Sequence, residues 1–314
     1  MKKIYFRTLI LLVVAILFAL LIQLDFSNAK LLLIELRVPR VIAAIAVGAA
    51  LALSGLVMQT VLANPLAEPY TLGIASGAAL GAAISTSLGI KIHLFGLNVG
   101  AVVGALMVLF LLLKWVMKGS RRSESIILLG VMMSLTCASL LAIWMALADP
   151  LGVQSITFWL LGDLSRVDLY SGLALFFITL AFGAYFFIFA RKLDAFLFGE
   201  AWVESFGVSF IQTQRISVIL ISILIGFCVS AVGMIGFIGL MVPHFVRRQI
   251  KSSLHYHLIP LSMLTGSMVL CFSDAIARSI SDPHELPVGA VTALVGAPVF
   301  IFLLMRNRKG ELFE

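Results

Sequence analysis

Residues 36–82 read LRVPRVIAAIAVGAALALSGLVMQTVLANPLAEPYTLGIASGAALGA, and no charged side chain stands between Arg40 and Glu68. A helix rising 1.5 Å per residue needs about 20 apolar residues to cross a hydrocarbon core of about 30 Å. The run from Arg40 to Leu62 meets that length, and Asn64, Pro65 and Pro69 then break it. Outward from this stretch, long apolar runs and short polar breaks alternate to both ends of the chain. The pattern predicts spans near residues 5–24, 40–62, 70–90, 94–117, 125–148, 169–190, 213–232, 233–246, 258–276 and 287–305. The eighth is short and carries Gly233, Gly236 and Gly239, as expected of a half-length or broken helix buried among its neighbours.

Composition excludes a soluble globule. Of the 314 residues, 61% are hydrophobic and 12% charged, with a mean hydropathy of +1.13, whereas soluble domains average about 45 to 50% apolar. No linker or low-complexity tract interrupts the spans, so residues 1–314 are expected to form a single transmembrane domain. The opening MKKIYFRTLILLVV also has signal-peptide features, with a small-residue site at Ser27–Ala29; cleavage there would leave nine crossings instead of ten. Cys137, Cys228 and Cys271 lie inside apolar runs without CxxC pairing and read as small buried hydrophobes.

The net charge of +7 does not point to nucleic acid, because the basic residues are scattered and never form a run interleaved with aromatics. With the N-terminus inside and ten crossings, 16 of the 22 Lys and Arg residues fall on inner segments. Lys30, Arg37, Arg40, Lys91, Arg166 and Arg278 remain outside. That asymmetry obeys the positive-inside rule and predicts that both termini are cytoplasmic.

Several positions stand out from anonymous lipid-facing sequence. Gly73, Gly77 and Gly81, and again Gly96, Gly100 and Gly104, recur at four-residue spacing, which lets helix backbones approach closely, with the lining of a translocation path as the alternative role. Arg37 and Arg40 share one face if helical, either as snorkelling anchors or as a docking pair for an acidic partner outside. Glu68, bracketed by Pro65 and Pro69, reads as a solvated loop residue, with a proton relay as the sharper alternative. Residues 199–215, GEAWVESFGVSFIQTQR, carry Trp202, Phe206 and Phe210 at four-residue spacing, which predicts a cytoplasmic amphipathic helix. Its shortage of basic residues argues for a protein groove over anionic lipid. His255 and His257 make a weak metal pair and read as loop residues; His244 is expected to satisfy helix-end carbonyls. A faint echo links the runs that begin at Arg40 and Arg215, five crossings apart, as in inverted repeats.

The combination of LRVPR (36–40), NPLAEP (64–69), GFIGLMVPH (236–244) and ELPVGAVTALVGAPVF (285–300) resembles the FecCD family of importer permeases, in order and spacing from about Leu36 to Arg306. The resemblance implies an all-α fold of about ten transmembrane helices, like that of the cobalamin permeases. It implies a homodimer with the path along its axis and membrane lipid around it. Two cytoplasmic ABC ATPase subunits and a periplasmic or lipid-anchored binding protein complete the assembly. Carried over by motif, Arg37, Arg40 and Arg278 would receive glutamates of the binding protein. Gly199, Glu200, Ala201, Glu204, Gly207 and Val208 would couple to the ATPase, and Arg122, Ser123, Glu124 and Ser125 lie near the inner gate.

No GxxxxGK[ST] pattern exists in the chain. ATP and Mg are therefore expected on the partner ATPase, with no cofactor and no enzymatic step in this subunit. The resemblance implies import of an iron chelate such as a siderophore, with haem or cobalamin as alternatives. A different class, the ion-coupled secondary transporter, needs carboxylates inside the spans, and Asp274 is the nearest candidate.

Overall fold

The computed structural model describes residues 2–22, 32–89, 93–94, 97–117, 123–280 and 285–306. Among them are thirteen α-helices: α1 (Lys2–Leu21), α2 (Val38–Val61), α3 (Ile74–Ser87), α4 (Val99–Met117), α5 (Ser123–Leu147), α6 (Pro150–Leu160), α7 (Leu169–Ile188), α8 (Ala190–Ala195), α9 (Glu200–Val203), α10 (Phe210–Val232), α11 (Ile238–Ile250), α12 (His255–Ile280) and α13 (Val288–Arg306). A π-helical turn, Leu32–Arg37, leads into α2, and a 3-10 turn, Pro69–Leu72, leads into α3. The one strand pairing among the described residues joins His93–Leu94 to Leu97–Asn98.

Among the described residues, six helices are long and apolar enough to cross a bilayer: α1, α2 with its lead-in, α5, α7, α10 and α12. Apolar helices α3, α4 and α13 are shorter. With the 13-residue α11, the chain has about ten transmembrane helices. Polar breaks start helices by capping them. Asp168 accepts from Ser171 N at 3.1 Å to open α7, and Asp149 accepts from Gly152 N at 3.1 Å to open α6. Helix α6 was not anticipated; its Asp149-Pro150 start is a legible N-terminal signal, but its 11 residues are too few to register as a span.

Helix α2 is the axle of the bundle, with 21 of its 24 residues buried, so protein and not lipid surrounds it. Lipid tails are as apolar as leucine, so close van der Waals fit must hold such helices together. Gly48 meets Gly266 of α12 and Gly55 meets Gly239 of α11, so closely that a Cβ on Gly48 or Gly55 would overlap the facing carbonyl. Gly77 and Gly81 of α3 pack the same way on Gly104 and Gly100 of α4. The four-residue repeats therefore serve packing; Gly96 lies outside the described residues. Gln214 in the first turn of α10 donates to Val61 O at the end of α2, 2.8 Å away, so the two echoing segments run antiparallel.

The expected eighth span differs in detail. Gly233 (φ +75) ends α10, residues 233–237 are unwound, and α11 starts only at Ile238. At about 1.5 Å per residue, α11 is about 20 Å long and cannot cross alone.

Candidate functional site

Three groups of polar side chains are built into this apolar scaffold, one at each end and one between. The ends are termed outer and inner after the charge partition of the sequence.

At the outer end the three arginines singled out in the sequence come together. Arg40 Nε lies 2.7 Å from Asp274 Oδ1, and its Nη1 lies 2.5 Å from Glu285 Oε2. Arg278 Nη2 lies 3.1 Å from Asp274 Oδ2, an i,i+4 pair on α12. Arg278 also donates to Ala19 O at 2.8 Å, and Arg37 donates to Leu20 O at 2.7 Å. These are among the last carbonyls of α1, which lack intrahelical donors and carry the negative end of the helix dipole. Arg40 and Arg278 are each only 7% exposed, so neither is a snorkelling anchor. Asp274 is wholly buried and engaged by two guanidiniums. The i,i+4 spacing of Asp274 and Arg278 was a readable signal for this pair; the link to Arg40 was not.

In the middle, the unwound segment 233–237 needs acceptors for its N–H groups, since bare backbone in a bilayer costs several kcal/mol per group. NPLAEPY supplies two. Tyr70 Oη accepts from Ile235 N at 3.1 Å, and Glu68 Oε1 accepts from Phe237 N at 2.9 Å. Glu68 is half-buried and is not the solvated loop residue expected from sequence. The loop turns at the end of α2 and folds back beside Gly239, which itself abuts Gly55, six residues before the helix ends. That return is about 9 Å along α2. Phe237 holds φ +68, a left-handed conformation uncommon outside glycine. A Cβ added to Gly236 would meet nothing within 4 Å, so the unwound segment borders open space.

At the inner end, the last turn of α2 gathers three other helices. Gln59 Nε2 donates to Gly239 O at 3.2 Å, and Gln59 Oε1 accepts from Arg247 of α11 at 2.6 Å. The Thr60 hydroxyl lies 2.8 Å from His255 Nε2, and His255 Nδ1 lies 2.7 Å from Asp194 Oδ1. Asp194 also accepts from His255 N at 2.7 Å. Burial pushes the Asp194 carboxyl up, but the hydrogen bonds from His255 outweigh it and hold the group below its usual range. His255 is therefore a fully buried helix-start residue rather than a loop residue. His257 contributes its carbonyl to the Tyr5 hydroxyl at 3.2 Å. His244 sits within α11, edge-on to Phe300, and not at a helix end. The described residues contain no cluster of three or more metal-ligating side chains. The three cysteines are buried and free, as expected.

Beyond Asp194 the chain leaves the bundle. Gly199 (φ +85) opens the short α9, a 3-10 turn spans Glu204–Phe206, and Gly207 (φ +71) closes it. The expected single helix over 199–215 is thus broken, because Gly207 in the left-handed region ends it before Phe210. The aromatics divide accordingly. Trp202 and Phe206 are 64% and 57% exposed, with the Phe198 ring tilted against Phe206 at 5.2 Å. Phe210 is buried on Phe196 at 4.8 Å. Glu200, Glu204 and Gly207 are exposed and Val208 is half-buried; Ala201 lies in α9. Of the residues near the expected inner gate, Ser123 starts α5, Glu124 is exposed, Ser125 is half-buried, and Arg122 lies outside the described residues.

A buried ionic cluster, an unwound helix held from the side, and an exposed aromatic-acidic knuckle opposite are thus the polar features built into the scaffold, with no catalytic constellation among the described residues. Known proteins are similar to the chain as a whole. The vitamin B12 import system permease protein of Klebsiella pneumoniae is 34% identical over 283 residues, covering 90% of this chain and 85% of its own length. The Fe(3+) dicitrate transport system permease protein of Escherichia coli is 36% identical over 281 residues, covering 88% and 86%. A solved structure of a metal-chelate type ABC transporter in an inward-facing conformation superposes with a TM-score of 0.89 at 28% identity, over 98% of this chain and 100% of that one. With residues 6–306 matching the FecCD transport family, which takes in all four motifs quoted above, the chain belongs to that family.

Proposed function

We propose that this chain is the permease subunit of a binding-protein-dependent ABC importer for a metal chelate, an iron siderophore in the first instance. The observation that carries this reading is the family match across residues 6–306. Two such subunits flank the path. ATP and Mg act on separate cytoplasmic ATPases that receive the knuckle at Gly199–Val208. A binding protein, periplasmic or lipid-anchored, docks at the opposite end beside Arg37, Arg40 and Arg278. Exposed aromatic surface such as Trp202 and Phe206 favours a protein partner for the knuckle.

Relatives that import vitamin B12 and ferric dicitrate share about a third of the sequence each, so cobalamin is a second reading and haem a third. An ion-coupled carrier is disfavoured because Asp274 is already engaged by two arginines and Glu68 by a main-chain N–H. The deciding experiment reconstitutes the chain with the ATPase encoded beside it. Binding protein loaded with a ferric siderophore, haem or cyanocobalamin is then added, and ATP hydrolysis is measured. Stimulation by one loaded form is expected; no stimulation by any of them would remove the importer reading.

A further inference from the structure

The inner end holds a joint that the importer reading does not use. Asp194 stands five residues before Gly199, on the short α8 whose Leu193 is buried. Its carboxylate receives both the backbone N–H and Nδ1 of His255, each at 2.7 Å. It therefore caps α12 from a different element, with its negative charge at the positive end of that helix. On the other side of the ring, Nε2 lies 2.8 Å from the Thr60 hydroxyl, so the imidazole bridges Asp194 and α2. The same hydroxyl donates to Leu56 O at 3.0 Å, one turn back in α2, which fixes its rotamer.

His255 is fully buried and Thr60 is 7% exposed. Hydrogen bonds in such a place are strong, and breaking one leaves a buried polar group unsatisfied. A second fastening closes the base of the knuckle, where Phe196 stacks on Phe210 at 4.8 Å and 25°. The knuckle is thus a closed loop seated on a rigid base, and a push on it cannot be absorbed at Asp194 without breaking two short bonds.

We propose that His255 is a positioning residue that converts displacement of the knuckle into displacement of α2 and α12, through the chain Asp194–His255–Thr60. The proposal rests on the reading of Gly199–Val208 as the ATPase dock. Helices α2 and α12 are the two that carry the outer cluster, with Arg40 on one and Asp274 and Arg278 on the other. Helix α2 also holds the unwound segment, through Gly55 against Gly239 and Gln59 on Gly239 O. One joint therefore reaches both the outer end and the unwound segment through continuous helix.

Thr60→Val tests it, because the change keeps the shape of the side chain and Asp194 on His255, and removes the link to α2 together with the hydroxyl's local bond to Leu56 O. A reporter cysteine replaces Gly236, which borders open space, after the three buried cysteines are replaced by alanine. The complex with its ATPase is reconstituted, and labelling by a membrane-impermeant maleimide is timed with and without MgATP and vanadate. In the parent, nucleotide trapping is expected to change the labelling rate about tenfold. In Thr60→Val the change should fall below about twofold while ATP hydrolysis stays within about twofold of the parent, and Thr60→Ser should restore it. Asp194→Ala combined with Thr60→Val should lose no more than Thr60→Val alone, as for two breaks in one path. A Thr60→Val complex that retains the parent's tenfold response overturns the proposal. If no ATPase co-purifies with the parent, the docking assignment of the knuckle falls, and this joint loses its role with it.

Discussion

Arg40 and Asp274 are separated by 234 residues in sequence and by 2.7 Å in the fold. Asp274 is fully buried and Arg278 lies 3.1 Å from its second oxygen, so one carboxylate sits between two guanidiniums where α1, α2 and α12 meet, and Glu285 supplies the second negative charge. Removing one partner of a buried pair strands the other charge and costs about 3 to 5 kcal/mol. Asp274→Asn strands Arg278 and leaves Arg40 only the exposed Glu285. We expect a large fall in the thermal unfolding midpoint in detergent, against little change for Arg166→Gln, which loses only the exposed pair with Asp163 at 3.2 Å. Equal midpoints for the two variants would show that the cluster does not hold the helices.

Glu285 is the weak member of that cluster. Its side chain is 47% exposed, while Arg40 retains Asp274 as a second partner. Loss of the pair should cost no more than about 1 kcal/mol of stability. Its position has a larger consequence for docking, since an incoming carboxylate must compete with it for Arg40. Glu285→Gln is therefore expected to tighten binding-protein affinity several-fold at low salt, an advantage that shrinks as salt screens the attraction. Titration of the reconstituted complex with binding protein at two ionic strengths measures it. Weaker binding in Glu285→Gln would mean that Glu285 itself touches the partner.

Close backbone approach makes a third expectation specific to position. A methyl group at Gly55 has only the Gly239 backbone to enter, and backbone cannot rotate aside as a side chain can. Gly55→Ala should destabilise by at least about 1 to 3 kcal/mol and lower the yield of folded protein. Gly236→Ala, with nothing within 4 Å, should be tolerated. Comparable yields of the two would contradict the packing of α2 on α11.

Glu68 separates two functional classes with one atom. Its carboxylate caps Phe237 N at 2.9 Å, a task that a glutamine carbonyl performs equally well. If the group serves as a cap, Glu68→Gln keeps transport within about twofold and Glu68→Ala loses most of it, because a buried N–H is left unpaired. A proton-carrying carboxylate would instead fail in both variants. Uptake into proteoliposomes by the two variants distinguishes the cases.

What the sequence disclosed followed from scale. A 20-residue apolar run is a long signal, so most spans were legible, and the glycines of residues 233–239 announced that one helix is incomplete. Eleven residues of α6 fell below that scale. Partnerships across the fold were also hidden: nothing local marks Asp194 as the partner of His255, 61 residues away, or Asp274 as that of Arg40. Motif resemblance singled out Arg40 and Arg278 as outward-facing groups, but a linear motif carries no burial, and the fold gives both an internal carboxylate. The spacing of Trp202, Phe206 and Phe210 fitted a helix until Gly207, whose φ of +71 turns Phe210 into the core.

That division of the aromatics gives the last expectation. Trp202 and Phe206 project from the knuckle with more than half of their surface exposed, whereas Phe210 is buried against Phe196. Truncating an exposed aromatic costs the free subunit almost nothing, but an aromatic anchor at the centre of a protein interface is commonly worth 2 kcal/mol or more. Trp202→Ala should therefore leave the unfolding midpoint unchanged while weakening retention of the ATPase by about thirtyfold. Phe210→Ala should do the reverse first, lowering the midpoint through a cavity in the base of the knuckle. Co-purification at graded ATPase concentrations, read beside thermal unfolding of the permease alone, distinguishes loss of a contact from loss of the fold. Unchanged retention in Trp202→Ala would assign the exposed aromatics to the membrane surface, and detergent or lipid protection of Trp202 fluorescence would then replace the ATPase as its explanation.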